Sequence, residues 1–291
     1  MIPRASAAQQ VLQSVAATIE WTNRDQNGEA TAAAGTVTVG VVNTAGTTVL
    51  AAGSSTGSGA TTGVYTRALT ATHTASLDIR TATWTDGGDS STHTQKIEVV
   101  GGYFFSLSEL RQLAGIDDTD KFTDARCRLF RRYVENVIET WTDVAWVPRY
   151  ASETYSGNGL DVLNLRHTQI RSVRSVTIDG TAATLSAFNT ERDTGLCEYS
   201  GGTFAATERN NVIIGYEHGF DAPPEDLKTA AMQACQYLLL DERAGLSPRA
   251  IQVDGEFGSI RYSTASSDRP FGLPDVDAVV MKYSQRVPGF A

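Results

Sequence analysis

Chemistry in a chain of this kind would fall first to its four histidines, three cysteines and clustered carboxylates. His73, His93, His167 and His218 sit in strand-like or loop-like stretches. None has the spacing of a zinc-binding helix, and none partners a cysteine at metal-ligand distance in the sequence. Glu217 and His218 are adjacent, but neighbouring residues of a strand face opposite ways, so they cannot share a substrate. Asp117, Asp118 and Asp120 lack the spaced ligands and terminal glutamate of a calcium loop and read better as turn and helix-capping residues. Gly57–Gly59 belongs to a Thr/Gly-rich turn and lacks a phosphate-binding context. Cys127, Cys197 and Cys235 are far apart and odd in number, which predicts buried thiols in a reducing cytosol. No nucleophile elbow or P-loop is present. The expectation is a protein without catalytic site, metal or cofactor.

The elements around these residues change character at Gly101-Gly102. Before it the chain is rich in Thr, Ala, Gly and Ser. Short runs predict strands at 16–21, 36–42, 47–51, 63–69, 75–85 and 93–100. Val37, Val39 and Val41 share one strand face, as do Leu77, Ile79, Thr81 and Thr83 on another. Several short strands at this spacing predict an immunoglobulin-like β-sandwich over residues 1–101, with Trp84 in its packing rather than on a sugar-binding surface.

After Gly102 the pattern becomes helical. Ser106-Leu-Ser-Glu109 is a capping box, with Phe105 and Leu110 placed as a hydrophobic staple. A second helix runs over about 123–143, with an apolar stripe at Ala125, Leu129, Phe130, Tyr133, Val134, Val137, Ile138 and Trp141. Arg126, Arg128, Arg131, Arg132 and Glu135 lie mostly off that stripe, which reads as a solvated or inter-subunit face before it reads as a nucleic-acid surface. Residues 147–216 predict a β insertion with a turn at Asp179-Gly180, and Ser186–Asn211 reads as a polar, weakly patterned stretch. Val212–Tyr216 leads through Gly219 to Pro223-Pro224 and a long helix. Its face is Leu227, Ala230, Ala231, Ala234, Cys235 and Leu238, and it closes near Arg243 and Gly245. An extended arm follows over about 246–274, with a hairpin around Asp254-Gly255, and a last helix starts at Asp275. The expected fold class is α+β in two domains: an all-β sandwich, then a mostly α-helical core with a β insertion over residues 102–291.

The net charge of −9 and pI near 5.0 argue against an electrostatic grip on DNA. No apolar run approaches the ~20 residues that cross a bilayer, so no membrane role is expected. The opening MIPRASAAQQVLQSV lacks the long apolar core of a secretion signal.

From Phe104 onward the chain resembles the head–tail connector (adaptor) proteins of tailed phages. The resemblance rests on an ordered series: YFFSLSELRQLAGI; FTDARCRLFRRYVENVIETWT with the junction VAWVPRY; LDVLNLRHTQIRSVRSVTIDGT; and VIIGYEHGFDAPPEDLKTAAMQACQYLLLDER. The first hundred residues resemble the immunoglobulin-like domains that decorate phage structural proteins, through GTVTVGVVNTAGTTVLAAG, GVYTRAL and THTQKIEVVGG. What the resemblance implies is a structural virion protein of the neck, made in the host cytoplasm. It would form a ring, twelve copies in number, that docks on the portal and presents a surface to the stopper or another tail protein. DNA would pass through the central channel without sequence-specific binding. Asp254, Glu256 and Arg261 are the expected ring or lumen contacts, and Lys282, Tyr283, Arg286 and Phe290 the expected portal contacts. The alternative reading is an immunoglobulin-like adhesin or baseplate binding module.

Overall fold

The computed structural model describes residues 9–56, 62–240, 252–255, 258–261 and 269–284. The chain divides into two compact units, each assembled from two stretches: residues 1–102 with 147–221, and residues 103–146 with 222–291.

The first unit opens with β1 (Gln9–Leu12), β2 (Ala17–Thr22), β3 (Val37–Val42), β4 (Thr48–Ser54), β5 (Val64–Leu69), β6 (Asp78–Asp86) and β7 (Thr92–Val100). One sheet has the order β1-β7-β6-β3-β4, and β2 pairs with β5. Strand β1 runs parallel to β7, with Val11 opposite Val99, and all other pairings here are antiparallel. Alternation along β3 buries Val37, Val39 and Val41. These meet Ile19, Leu69, Ala82, Trp84 and Ile97 in one core. Each fully buried aliphatic side chain there contributes roughly 1.5–3 kcal/mol. Trp84 is fully buried, donates from its indole nitrogen to Gln95 at 3.1 Å, and is stacked by Trp21. On β6 the buried face is Asp78, Arg80, Ala82, Trp84 and Asp86, so Ile79, Thr81 and Thr83 share the other face.

The rest of this unit is β8 (Arg149–Tyr155), β9 (Val162–Asn164), β10 (Ile170–Ile178), β11 (Thr181–Ala182), β12 (Phe188–Glu191), β13 (Leu196–Tyr199) and β14 (Val212–His218). They form a β11-β10-β14-β8 sheet and a β12-β13-β9 sheet around a second core of Leu163, Leu165, Val176, Phe188, Phe204, Ile214 and Tyr216. The β10–β11 hairpin turns on Asp179 (φ 49°) and Gly180 (φ 76°), the positive-φ pair that a tight hairpin needs to follow strand twist. The seven-stranded front part is tied to these sheets. Arg149 pairs with Glu98 at 2.6 Å, Arg174 donates to the Leu77 carbonyl at 2.7 Å, and Gly101 N–H donates to the Pro148 carbonyl at 2.8 Å.

The second unit holds α1 (Leu107–Leu110), α2 (Asp124–Thr142), α3 (Glu225–Leu240) and α4 (Pro274–Lys282). A two-stranded hairpin, β15 (Gln252–Gly255) with β16 (Gly258–Arg261), belongs to the same stretch of chain.

The expectation of a mostly α-helical second domain is overturned. Among the described residues, 36% are in strands and 23% are helical, with four α-helices against several sheets. Seven strands lie between Arg149 and His218. Two of them, β12 and β13, fall inside the Ser186–Asn211 stretch that reads as a polar loop. They are four residues long, so each sends only one buried side chain inward, Phe188 and Cys197, too few for alternation to register.

Candidate functional site

A cluster of titratable side chains lies in the first unit, where β8 and β14 pair. Their register sets Arg149 opposite His218 and Tyr155 opposite Val212. Alternate residues therefore bring Glu153, Tyr155, Tyr216 and His218 to one face. Arg166 and His167, just after β9, reach the same place. The Glu153 carboxylate accepts from the Tyr216 hydroxyl at 2.7 Å and from the Tyr155 hydroxyl, and its other oxygen lies 3.6 Å from His167 Nε2 and 3.7 Å from Arg166. Tyr155 oxygen in turn accepts from the Arg166 amide at 3.0 Å. The imidazoles of His167 and His218 stack face to face, 4.0 Å between centroids.

This arrangement holds protons in place. Burial and then the Glu153 carboxylate push the Tyr155 phenol up to about 12. Burial and the hydrogen bonds to Tyr155 and Glu153 push Tyr216 far above the usual phenol range. His218 is 4% exposed, and burial, His167 and Arg149 together hold it down at about 3. General acid–base work favours groups poised near the operating pH, and these three are displaced away from it. The cluster's evident role is to pin the loop carrying Arg166 and His167 onto the sheet.

In the second unit the capping box forms as the residues predict. Ser106 hydroxyl accepts from Glu109 N–H at 3.1 Å, and the Glu109 carboxylate accepts from Ser106 N–H at 2.7 Å. Glu109 also receives Lys228 of α3 at 2.6 Å, which, with Ser106, holds its carboxyl down at about 2. Replacing Ser106 by alanine is expected to lower stability by about 1 kcal/mol, read as a shift in urea midpoint.

Helix α2 differs from its sequence expectation. It starts on the Thr123 cap and ends at Asp143 in the left-handed region, as predicted within a residue. Its buried face, however, is Cys127, Arg131, Val134, Glu135, Ile138 and Thr142. Arg131 lies 3.6 Å over the Tyr103 ring, donates to the Phe105 carbonyl at 3.1 Å, and sits 3.9 Å from Glu135. Glu135 accepts from the Phe104 amide at 2.8 Å. The four arginines thus separate. Arg126 covers Phe122 and Phe130, Arg128 reaches Asp124 at 3.4 Å, Arg131 is buried, and Arg132 is half-buried. Leu129 and Tyr133 of the predicted stripe are instead exposed, by 54% and 46%. Helix α3 buries Leu227, Ala230, Ala231, Ala234 and Cys235 as its spacing predicts, with Leu239 in place of Leu238. Burial pushes the Cys235 thiol up to about 12 and Cys197 to about 11, and raises Cys127.

Of the residues expected at assembly contacts, Asp254 lies on β15 opposite Ser259, and Arg261 on β16 opposite Gln252. Gly255 pairs with Gly258, so Asp254 and Gly255, the expected turn residues, lie within β15. Lys282 closes α4 and pairs with Asp226 at 2.8 Å, and the Tyr283 hydroxyl donates to the same carboxylate at 2.7 Å. Tyr283 also meets Trp146 edge-on at 5.4 Å. Glu256, Arg286 and Phe290 lie outside the described residues, as do the expected α3 terminus at Arg243 and Gly245 and the Gly57–Gly59 turn. Asp118 caps its own turn, accepting from the amides of Asp120 at 2.9 Å and Lys121 at 3.1 Å. Among the described residues no group of His, Cys, Asp or Glu is placed to hold a metal ion, and no helix is long and apolar enough to cross a membrane. Sequence reasoning missed the Glu153 cluster and the buried Arg131–Glu135 pair. The available signal for the latter was the i, i+4 spacing of opposite charges beside Tyr103.

No protein-family model matches the chain, and no curated protein matches it in sequence.

Proposed function

We propose that this chain is a subunit of the connector ring in the neck of a tailed phage, docking on the portal vertex and presenting a surface to the stopper or tail. The observation that carries the reading is the composition of the helical unit. The capped α1 and long α2 form one compact unit with α3 and α4, although residues 147–221 intervene and fold elsewhere. The order is that of the resemblance: capped helix, long helix, a strand ending at Val176-Thr-Ile-Asp-Gly180, then strand, Gly219, Pro223-Pro224 and helix. The net charge of −9 suits a channel through which DNA slides without adhering. In this reading the β15–β16 hairpin, with Asp254 and Arg261, meets a neighbouring copy or the lumen, and the segment from Lys282 to Phe290 meets the portal.

The purified chain is expected to form closed rings with a central opening, alone or on portal rings, seen by mass photometry and negative-stain microscopy. A chain that stays monomeric at every concentration and does not co-sediment with portal rings overturns the reading.

A further inference from the structure

The sequence holds two Asn-Gly pairs, Asn27-Gly28 and Asn158-Gly159, and both lie in exposed turns of the first unit. Asparagine is chemically labile in this setting, because glycine puts no side chain between its own amide nitrogen and the preceding side-chain carbonyl. That nitrogen can attack the asparagine Cγ and close a five-membered succinimide. Whether it does so in a folded chain depends on how firmly the fold holds the asparagine side chain and the glycine N–H.

The two turns differ in this respect. Asn158 is held at both ends of its amide: Nδ2 donates to the Val162 carbonyl at 2.8 Å, and Oδ1 accepts from Leu160 N–H at 2.9 Å. Gly159 N–H donates to the carbonyl of fully buried Phe204 at 2.8 Å, and the Phe204 amide donates back to the Leu160 carbonyl at 2.7 Å. Freeing the reacting groups there means undoing contacts to the core. Among the described residues, the Asn27 side chain has one partner, the Asp25 carboxylate, which lies 3.5 Å from Nδ2. Gly28 N–H donates to the Asp25 carbonyl at 3.0 Å, inside a turn closed by Asp25 N–H on the Glu29 carbonyl at 2.9 Å. Residues 24–30 are exposed throughout. Hydrogen bonds of such a turn open locally at little cost. A Cβ built on Gly28 would meet nothing within 4 Å, so the ring has room to form.

We infer that Asn27 is a site of spontaneous deamidation in the folded chain and that Asn158 is protected. The bond from Gly28 N to Asn27 Cγ forms as the Cγ–Nδ2 bond breaks, and ammonia leaves with the amide proton. Water then opens the succinimide. Cleavage at Cγ yields aspartate, and cleavage at the main-chain carbonyl yields isoaspartate. The net change is water taken up and ammonia released, with no oxidant or reductant. Either product sets a carboxylate where Nδ2 faced the Asp25 carboxylate, so attraction becomes repulsion. Isoaspartate also inserts a methylene into the main chain between Asp25 and Glu29, whose pairing closes the turn. The modified turn is looser and more acidic than the one synthesised.

The test uses the full chain, aged in mildly alkaline buffer under native conditions, with a parallel sample in guanidinium chloride. Peptide mass mapping reads the change from amide to acid at each asparagine, and an isoaspartyl methyltransferase labels isoaspartate. In the native sample Asn27 is expected to convert several-fold faster than Asn158 and to give both products. In denaturant the two rates should converge. Asn27→Gln should remove the methyl label from that peptide without shifting the thermal unfolding midpoint. An Asn27 that keeps its amide in the native sample overturns the inference, as does an Asn158 that converts as fast or faster. Conversion of Asn27 to aspartate without isoaspartate would show direct hydrolysis and overturn the succinimide route.

Discussion

Replacing Glu135 by alanine is expected to destabilise the helical unit by about 3–5 kcal/mol, the range for removing one partner of a buried ion pair. The reason lies in what remains. Arg131 stays buried over Tyr103, with its charge no longer answered at 3.9 Å. The Phe104 amide loses the carboxylate that accepts from it at 2.8 Å. Glutamine at 135 keeps an acceptor for that amide but not the charge, so it should fall between wild type and alanine. Changing both Arg131 and Glu135 to apolar residues of similar size should recover much of the loss, because the desolvation of both charges disappears together. Urea denaturation followed by circular dichroism at 222 nm reads the series. An alanine variant within about 1 kcal/mol of wild type would show the pair to be incidental to the fold.

The second large effect is an acid slope set by His218. Its pKa lies near 3 in the folded chain, against an ordinary value of 6.5, because burial, His167 and Arg149 all disfavour the cation. The unfolded chain therefore binds the extra proton, and stability rises with pH across that interval. The contribution is fully present above about pH 6.5 and is lost as pH falls toward about 3. Its size is on the order of 5 kcal/mol, since each pKa unit corresponds to about 1.4 kcal/mol. The groups that surround the ring are His167 in the stack and Arg149 across the β8–β14 pair, with Glu153 beyond His167. His218→Phe should flatten this part of the pH profile while preserving stacking on His167. A wild-type profile already flat between pH 6.5 and 4 would contradict the prediction, as would an imidazole titrating near 6 by NMR.

How much of this was legible depends on whether apolar meant buried. Along β3 and α3 it did. Val37, Val39 and Val41 face the core, and so do Leu227, Ala230, Ala231, Ala234 and Cys235. The capping box at Ser106 was legible because its chemistry is local, confined to four residues. Along α2 and β6 the equation failed, because guanidinium and carboxylate groups went inside. Arg131 spreads its planar cation over Tyr103, Glu135 accepts from a main-chain amide, and Arg80 and Asp78 are buried beside each other. Periodicity assigns such residues to solvent. The Glu153 cluster was illegible for another reason. Its members come from β8, the segment after β9, and β14, and only the strand register brings them together. His167 and His218 carry no motif between them. The expected mostly α-helical character after Gly102, with one β insertion, failed in part because single buried side chains on the four-residue strands β12 and β13 leave no periodic trace.

The discontinuous make-up of the helical unit also has a consequence in time. Helices α1 and α2 leave the ribosome before the whole of residues 147–221, and α3 follows only afterwards. At roughly 5–20 residues per second the wait is on the order of 4–16 s. During that interval Cys127, Val134 and Ile138 of the newborn α2 have no α3 to cover them. The nascent chain should therefore be most vulnerable to chaperone capture and aggregation in the window after Trp146 has emerged and before Leu239 has.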